Sequence, residues 1–160
     1  MLKLIQIYFG EAMKTVDIYT DGACSYNPGP GGWASILIYK GVEKQIAGGQ
    51  LETTNNFMEL LACVEGLKAL KENCKVNLYS DSAYLVNAIN NGWLDAWRYS
   101  GWKTADKKPV KNRELWEELV GLLDKHQVTF IKVKGHADNV YNNRCDALAR
   151  AEISKLTQIP

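Results

Sequence analysis

Two segments sixty residues apart carry the same short pattern. Ile18-Tyr-Thr-Asp-Gly22 and Leu78-Tyr-Ser-Asp-Ser82 each alternate apolar and polar side chains, then close on an aspartate followed by a small residue. Alternation with period two marks a half-buried strand, so both segments read as strands whose carboxyl ends bear an acid. Singly, each aspartate reads more simply as a turn-former or helix cap. The repetition favours a chemical role. If the two strands are parallel neighbours, both carboxylates stand at the sheet edge where open α/β sheets build their sites. Two anions held close raise each other's pKa unless a cation lies between them. Oxygen ligands alone select a hard ion such as Mg²⁺ or Mn²⁺.

The remaining pattern surrounds those strands with a mixed sheet. Val16–Thr20 is a strand, Asn27-Pro-Gly-Pro-Gly-Gly32 a turn, and Ser35–Tyr39 with Val42–Ala47 a hairpin through Lys40-Gly41, with Gly48-Gly49 ending or bulging the last strand. Phe57, Leu60, Leu61, Val64, Leu67 and Leu70 recur at helical spacing, with Asn55 and Asn56 as caps. Val76–Ser80 is a strand and Ser82–Asn90 a short helix. Trp93–Trp102 is aromatic and partly basic, and Glu114–Lys125 is an amphipathic helix. Val128–Val133 is the fifth strand, and Asn143–Ile153 closes the chain as a helix. The order β-β-β-α-β-α-α-α-β-α predicts an α/β fold: a mixed sheet with helices packed on it.

Length and composition fit this reading. The 160 residues suit one domain with a genuine core. Net charge is only +1, yet Arg98–Arg113 concentrates six basic residues (Arg98, Lys103, Lys107, Lys108, Lys111, Arg113) against one acid, Asp106. That stretch reads either as a solvated loop or as a phosphate-facing surface. Cys24, Cys63, Cys74 and Cys145 form no Cys-x-x-Cys pair. A zinc site and a disulfide framework are therefore not expected, and a cytoplasmic setting is. Residues 1–13 are too short to span a membrane and lack the pattern of a secretory signal; they are read as an extension, disordered or an extra strand.

Two further acids and a histidine stand out. Glu59 falls on the flank of its helix's apolar face, and reads either as the acid of an Asn56-x-x-Glu59 capping box in the first turn or as a ligand. Asp146 lies among Cys145, Ala147, Leu148 and Ala149, where an acid needs a partner: Arg144, Arg150, the helix dipole or a metal. His136 follows the last strand in Lys134-Gly-His-Ala-Asp138, placed either simply in solvent or to shuttle protons. His126, at a helix end, reads as a surface residue complementing the dipole.

Together these residues resemble type 1 ribonuclease H. The matching strings run over about residues 16–152. They include Tyr19-Thr-Asp-Gly-Ala-Cys24, Asn27-Pro-Gly-Pro-Gly-Gly-Trp33, Thr53-Thr-Asn-Asn56 with Met58-Glu-Leu60, and Ser80-Asp-Ser82. They continue through Gly101-Trp-Lys-Thr104, Pro109-Val-Lys-Asn112, Val133-Lys-Gly-His136 and Asn142-x-x-x-Asp146-x-Leu-Ala149. The resemblance implies a ribonuclease H-like fold, a five-stranded mixed sheet with its first three strands antiparallel and helices on both faces. It implies a catalytic domain over 14–154 and a tail over 155–160. It also implies endonucleolytic hydrolysis of the RNA strand of RNA–DNA hybrids, leaving 5′-phosphate and 3′-hydroxyl ends, by a monomer with no membrane partner.

Residue roles carry over position by position. Asp21, Glu59, Asp81 and Asp146 match the ligands of two Mg²⁺ ions, with Mn²⁺ as substitute, and His136 matches a histidine that assists turnover. Cys24, Asn27, Asn55 and Asn56 match positions near the hybrid's backbone and minor groove. Thr54 and Asn112 match a pocket for a DNA-strand phosphate. Trp93, Trp97, Arg98, Trp102 and Lys103 match a basic substrate-holding handle, although two or more of the tryptophans are expected to pack the handle's own core. The chain departs from familiar members at Asp95, Tyr99 and Ser100, which make the handle less basic, at Phe57 in place of arginine and at Ala83 in place of glutamine. Rival readings are another nuclease on this fold and a binding module without catalysis. An aspartyl phosphatase is disfavoured because Asp21-Gly-Ala23 lacks a second acid at Asp-x-Asp spacing.

Overall fold

The computed structural model describes residues 13–135 and 138–158. Five strands, β1 (Lys14–Cys24), β2 (Gly29–Tyr39), β3 (Val42–Thr53), β4 (Cys74–Ser80) and β5 (Gln127–Lys132), form one sheet in the order β3-β2-β1-β4-β5. The pairs β1–β2 and β2–β3 are antiparallel, and β1–β4 and β4–β5 are parallel. The helices are α1 (Asn55–Lys68), α2 (Ala83–Asn90), α3 (Trp93–Tyr99), α4 (Arg113–Lys125) and α5 (Val140–Thr157). The expected element order and mixed sheet are present. His136 and nearly all of the N-terminal extension lie outside the described residues.

The sequence echo is a ladder in register. Ile18 pairs with Leu78 and Tyr19 with Tyr79 across the parallel β1–β4 pair. Alternation then sorts the side chains by face. Ile18, Leu78, Val16 and Val76 point into the larger core with Leu60, Val64, Leu67, Leu85, Trp116 and Leu119. Tyr19 belongs to the opposite face, where Ala34 and Ile36 are buried against Cys145 and Ala149 of α5. At roughly 1.5–3 kcal/mol for each large aliphatic side chain removed from water, these two layers fix the sheet order and carry the aspartates to one edge.

Several local expectations are corrected. Gly29–Gly32 is not a turn but the start of β2, and Gly48-Gly49 does not end β3, which runs on to Thr53. Both glycine pairs mark a close neighbour rather than a break: helix backbone at Gly32 and an indole side chain at Gly48. A Cβ on Gly32 would stand 2.0 Å from the Ala149 carbonyl oxygen, and one on Gly48 2.7 Å from the Trp33 indole nitrogen. The cap of α1 is Thr54, whose hydroxyl accepts the Phe57 N–H at 3.2 Å, so Asn55 and Asn56 are its first helical residues. The final helix begins at Val140, because Asn139 caps it through the Asn142 N–H at 2.9 Å, and it runs three residues into the expected tail, to Thr157.

His126 is a further correction: it is buried, not a surface residue. Its Nδ1 accepts the N–H of Cys74 at 3.1 Å, tying the end of α4 to the start of β4. That contact requires a neutral ring, and burial with the nearby Lys125 charge lowers the His126 pKa below its ordinary 6.5. The folded state therefore resists a proton that the unfolded chain accepts, and stability is lost as pH falls below about 6.5. His126→Ala is expected to cost about 1–3 kcal/mol at neutral pH, the usual penalty for a buried donor left unpaired. Urea unfolding at about pH 7.5 and 5.5 checks both points: the variant should lose less than the parent on acidification.

Among the described residues no helix is long and apolar enough to cross a membrane. The four cysteines are free thiols, three of them buried.

Candidate active site

Each of the four acids comes from a different element. Asp21 stands near the end of β1, and Asp81 follows β4 directly. Glu59 lies in the second turn of α1, beyond the first turn in which the capping reading placed it. Its carboxylate accepts the N–H of Gly22 and a hydrogen bond from Ser82. Glycine at 22 is what permits this approach, since a Cβ there would lie 2.4 Å from the Glu59 nitrogen and 2.5 Å from the Met58 carbonyl carbon. The helix thus crosses β1 at backbone contact and delivers Glu59 beside Asp21.

Asp21, Glu59 and Asp81 each offer a carboxylate oxygen, all within 4.8 Å of one another. Asp21 and Glu59 are 5% exposed, so this charge is held largely out of water. Burial is the main cause that raises the Asp21 carboxyl above its ordinary value, followed by the charges of Glu59 and Asp81. Burial likewise raises Glu59, with Asp81 adding to it, while hydrogen bonds from the Asp21 carboxyl, then from Gly22 and Ser82, oppose the rise. Anions arranged at such cost fit a divalent cation: every donor is oxygen, the ligand set of a hard ion.

Asp146 lines the same cleft, in the second turn of α5. It pairs with Arg150, Nε to Oδ2 at 2.9 Å, while Arg144 is drawn away to Glu43 at 2.6 Å. The helix that carries Asp146 is pinned at several points. Tyr141 stacks on Tyr19 at 5.0 Å, Tyr19 stacks on Tyr79 at 4.4 Å, and the Cys145 thiol donates to the Tyr19 carbonyl at 3.2 Å. The cleft also takes in Cys24, Asn55, Asn56, Ser82, Tyr84 and Arg150.

The other expected site residues are distributed around this cleft. Asn27 accepts the Asn55 N–H at 3.0 Å, linking the β1–β2 connection to the start of α1. The Cys24 thiol points at the Tyr26 carbonyl at 2.6 Å. Asn112, in left-handed conformation, donates to the Tyr84 hydroxyl at 3.1 Å, and the Trp116 indole donates to the same oxygen at 2.9 Å. In the handle, Trp97 meets Trp116 edge-on at 5.4 Å, and Arg113 lies over Trp102 at 5.7 Å. Trp93 is 44% exposed and shares a second hollow with Trp97, Lys103 and Lys107, while Arg98 stands 3.9 Å from Asp95.

Sequence reasoning did not place Ser82, Tyr84 or Arg150 in the site. Ser82 had a signal, because it is the small residue that follows the second echo aspartate. Tyr84 had none, since its hydroxyl meets Asn112 and Trp116 only through the packing of α2 against α4.

Comparison with known proteins agrees with the geometry. A family model described as RNase H matches residues 13–154. The chain belongs to the RNase H family. It is 61% identical over 142 residues to Ribonuclease H of Caldanaerobacter subterraneus subsp. tengcongensis, covering 89% of this chain and 93% of that protein. Identity to Ribonuclease H of Chlorobaculum parvum is also 61% over 142 residues, with 89% and 97% coverage. Among solved structures, LC9-RNase H1, a type 1 RNase H with the type 2 active-site motif, superposes with a TM-score of 0.82 at 27% identity, over 92% of this chain and 75% of that one. LC11-RNase H1, solved in complex with RNA/DNA hybrid, shares the fold at a TM-score of 0.68 and 22% identity, over 88% of this chain and 98% of that one.

Proposed function

We propose that this protein is an endoribonuclease that hydrolyses the RNA strand of RNA–DNA hybrids, leaving 5′-phosphate and 3′-hydroxyl ends. The observation that carries the reading is the oxygen-only cluster of Asp21, Glu59 and Asp81 at the carboxyl edge of a ribonuclease H-like sheet, with Asp146 in the same cleft. These four residues are assigned as the ligands of two divalent ions, Mg²⁺ with Mn²⁺ as substitute. Bound there, such ions supply Lewis-acid stabilisation of the charge at the attacking and leaving oxygens of an in-line displacement. The protein supplies placement. Gly22 and Ser82 hold Glu59 in one orientation, and burial of Asp21 and Glu59 keeps the negative field concentrated on the cleft.

Asn55 and Asn56, beside the carboxylates, are assigned to the minor groove, where a 2′-hydroxyl distinguishes the RNA strand. Cys24 and Asn27 continue that surface. Thr54 and Asn112 are assigned to a DNA-strand phosphate. His136 is assigned a part in proton movement and product release; its sequence neighbour Gly135 lies close enough to Asp81 that an added Cβ would stand 3.0 Å from Oδ2. One chain furnishes all these residues, and the protein is proposed to act as a monomer.

An end-labelled hybrid incubated with and without Mg²⁺, beside duplex RNA and duplex DNA, tests the reading. Metal-dependent cutting confined to the hybrid's RNA strand is expected. Binding without cutting in either Mg²⁺ or Mn²⁺ would replace it with a non-catalytic binding module.

Affinity is expected to rest on Trp93, Lys103, Lys107, Lys108 and Lys111 more than on the tip of the handle, where Asp95 faces Arg98. Binding should accordingly show a shallower salt slope than in a relative with a more basic handle. Each lysine that meets a phosphate should contribute about 0.9 to that slope on a B-like duplex. Fluorescence titrations at several salt concentrations, comparing the parent with a Lys107→Ala/Lys108→Ala variant, measure this. A variant slope equal to the parent's would remove both lysines from the binding surface.

A further inference from the structure

Arg150 is a site residue of another kind. It lines the acidic cleft and holds Asp146 through a 2.9 Å contact. Among the described residues no ion pair reaches Asp21, Glu59 or Asp81, and Arg144, the other cation near the start of α5, is committed to Glu43 at 2.6 Å and lies over the Tyr141 ring at 5.4 Å. The four acids are therefore divided. Three form a tight oxygen cluster with no cationic partner among the described residues, and the fourth carries a resident positive charge.

We infer that Arg150 is a positioning residue that competes with divalent cations for the Asp146 carboxylate, so that the ion needing Asp146 binds more weakly than the ion held by Asp21, Glu59 and Asp81. The inference rests on the proposed metal-dependent reading of the cleft. A guanidinium and a divalent ion seek the same oxygens and repel each other, so one must give way. Arg150 has room to do so: its side chain is 64% exposed, against 31% for Asp146, and an exposed pair four residues apart on a helix is held only weakly. Its place on the helix, acid before base, favours return to the carboxylate when the cation leaves. The metal concentration at which the site fills completely is then set in part by a residue that is not itself a metal ligand.

Calorimetric titration of Mn²⁺ and of Mg²⁺ into the intact protein tests this, with circular dichroism confirming that each variant is folded. Arg150→Ala is expected to tighten the weaker binding event by about 3- to 10-fold, the effect of removing one partly solvated competing charge. Arg150→Lys, which keeps the charge, should stay near the parent. In an Asp146→Asn background the Arg150→Ala change should have no effect, because the pair it breaks is already gone. Unchanged or weakened binding in folded Arg150→Ala would overturn the inference and leave the proposed function standing. So would equal tightening in the Asp146→Asn background, which would indicate general repulsion instead of competition for one carboxylate. A parent protein that binds neither ion would overturn the inference and the functional reading together.

Discussion

Asp21→Asn is expected to lower hybrid cleavage by about three orders of magnitude or more, while making the metal-free protein more stable. The two effects share one cause. Asp21 is the most central of the clustered acids, pressed by burial and by the charges of Glu59 and Asp81. An amide keeps the shape but withdraws the anionic oxygen, so stabilisation of the reacting phosphate worth about 4 kcal/mol is lost, and each 1.36 kcal/mol is a factor of ten in rate. Without cations the same anion opposes folding. Its folded pKa is raised, so the folded protein retains protons that the unfolded chain has released, and stability falls as pH rises from about 4 toward the raised value. The metal-free variant should therefore exceed the parent in stability at about pH 8 by on the order of 2 kcal/mol, an advantage that shrinks toward pH 4. Added Mg²⁺ should stabilise the parent by mass action and the variant much less. Thermal unfolding with EDTA and with Mg²⁺, alongside the cleavage assay, reads all of this. A metal-free variant less stable than the parent at about pH 8 would show that Asp21 serves the fold through contacts that outweigh the repulsion.

Gly32→Ala, a change of one methyl far from any reacting group, is expected to rank with the largest stability losses in the chain. The added carbon would lie 2.0 Å from the Ala149 carbonyl oxygen and 3.0 Å from its carbon, against helix backbone that cannot rotate aside. Relief requires α5 to lift from β2 as a body, opening the layer of Ala34, Ile36, Cys145 and Ala149. A cost of about 3 kcal/mol or more follows from overpacking against backbone, close to a 10 °C fall in Tm for a chain of this size. Asp146 rides on the same helix, three residues before Ala149, so the shift reaches the site. A displacement near 1 Å is worth about a hundredfold in rate. Gly121→Ala is the companion measurement: nothing lies within 4 Å of its added carbon on the exposed face of α4, and the variant should gain about 0.5–1 kcal/mol. Comparable unfolding midpoints for the two variants would show that α5 tolerates movement and that the close approach at Gly32 does not secure Asp146.

Much of the site is legible in the sequence because it is written in short local strings. The two echo segments predicted a pair of strands bearing aspartates, and they lie in register, Ile18 with Leu78 and Tyr19 with Tyr79. The helices at Phe57–Leu70 and Glu114–Lys125 are readable from their apolar spacing, which the core reproduces through Leu60, Val64, Leu67, Trp116 and Leu119. What misled was chemistry with two local meanings. Asn27–Gly32 looks like a turn and Gly48-Gly49 like a strand end or a bulge, because a glycine that frees a loop and one that admits a close neighbour have the same spelling. Glu59 reads equally as a capping acid or a ligand; Thr54 caps the helix and the carboxylate turns to Gly22. His126 looked like a surface residue because nothing nearby in the chain reveals that Cys74 lies beneath it.

By itself the sequence determined the element order, the mixed sheet and the family resemblance, and it pointed to the four acids, since periodicity and motif strings are properties of neighbours along the chain. Tertiary structure alone decided how those acids are grouped: Asp21, Glu59 and Asp81 in a dense cluster, and Asp146 on a helix set against β2 and held by Arg150. The physical reason is range. Strand and helix signals act over a few residues, whereas burial, repulsion between carboxylates and the closeness of two backbones depend on segments that meet only when the chain has folded.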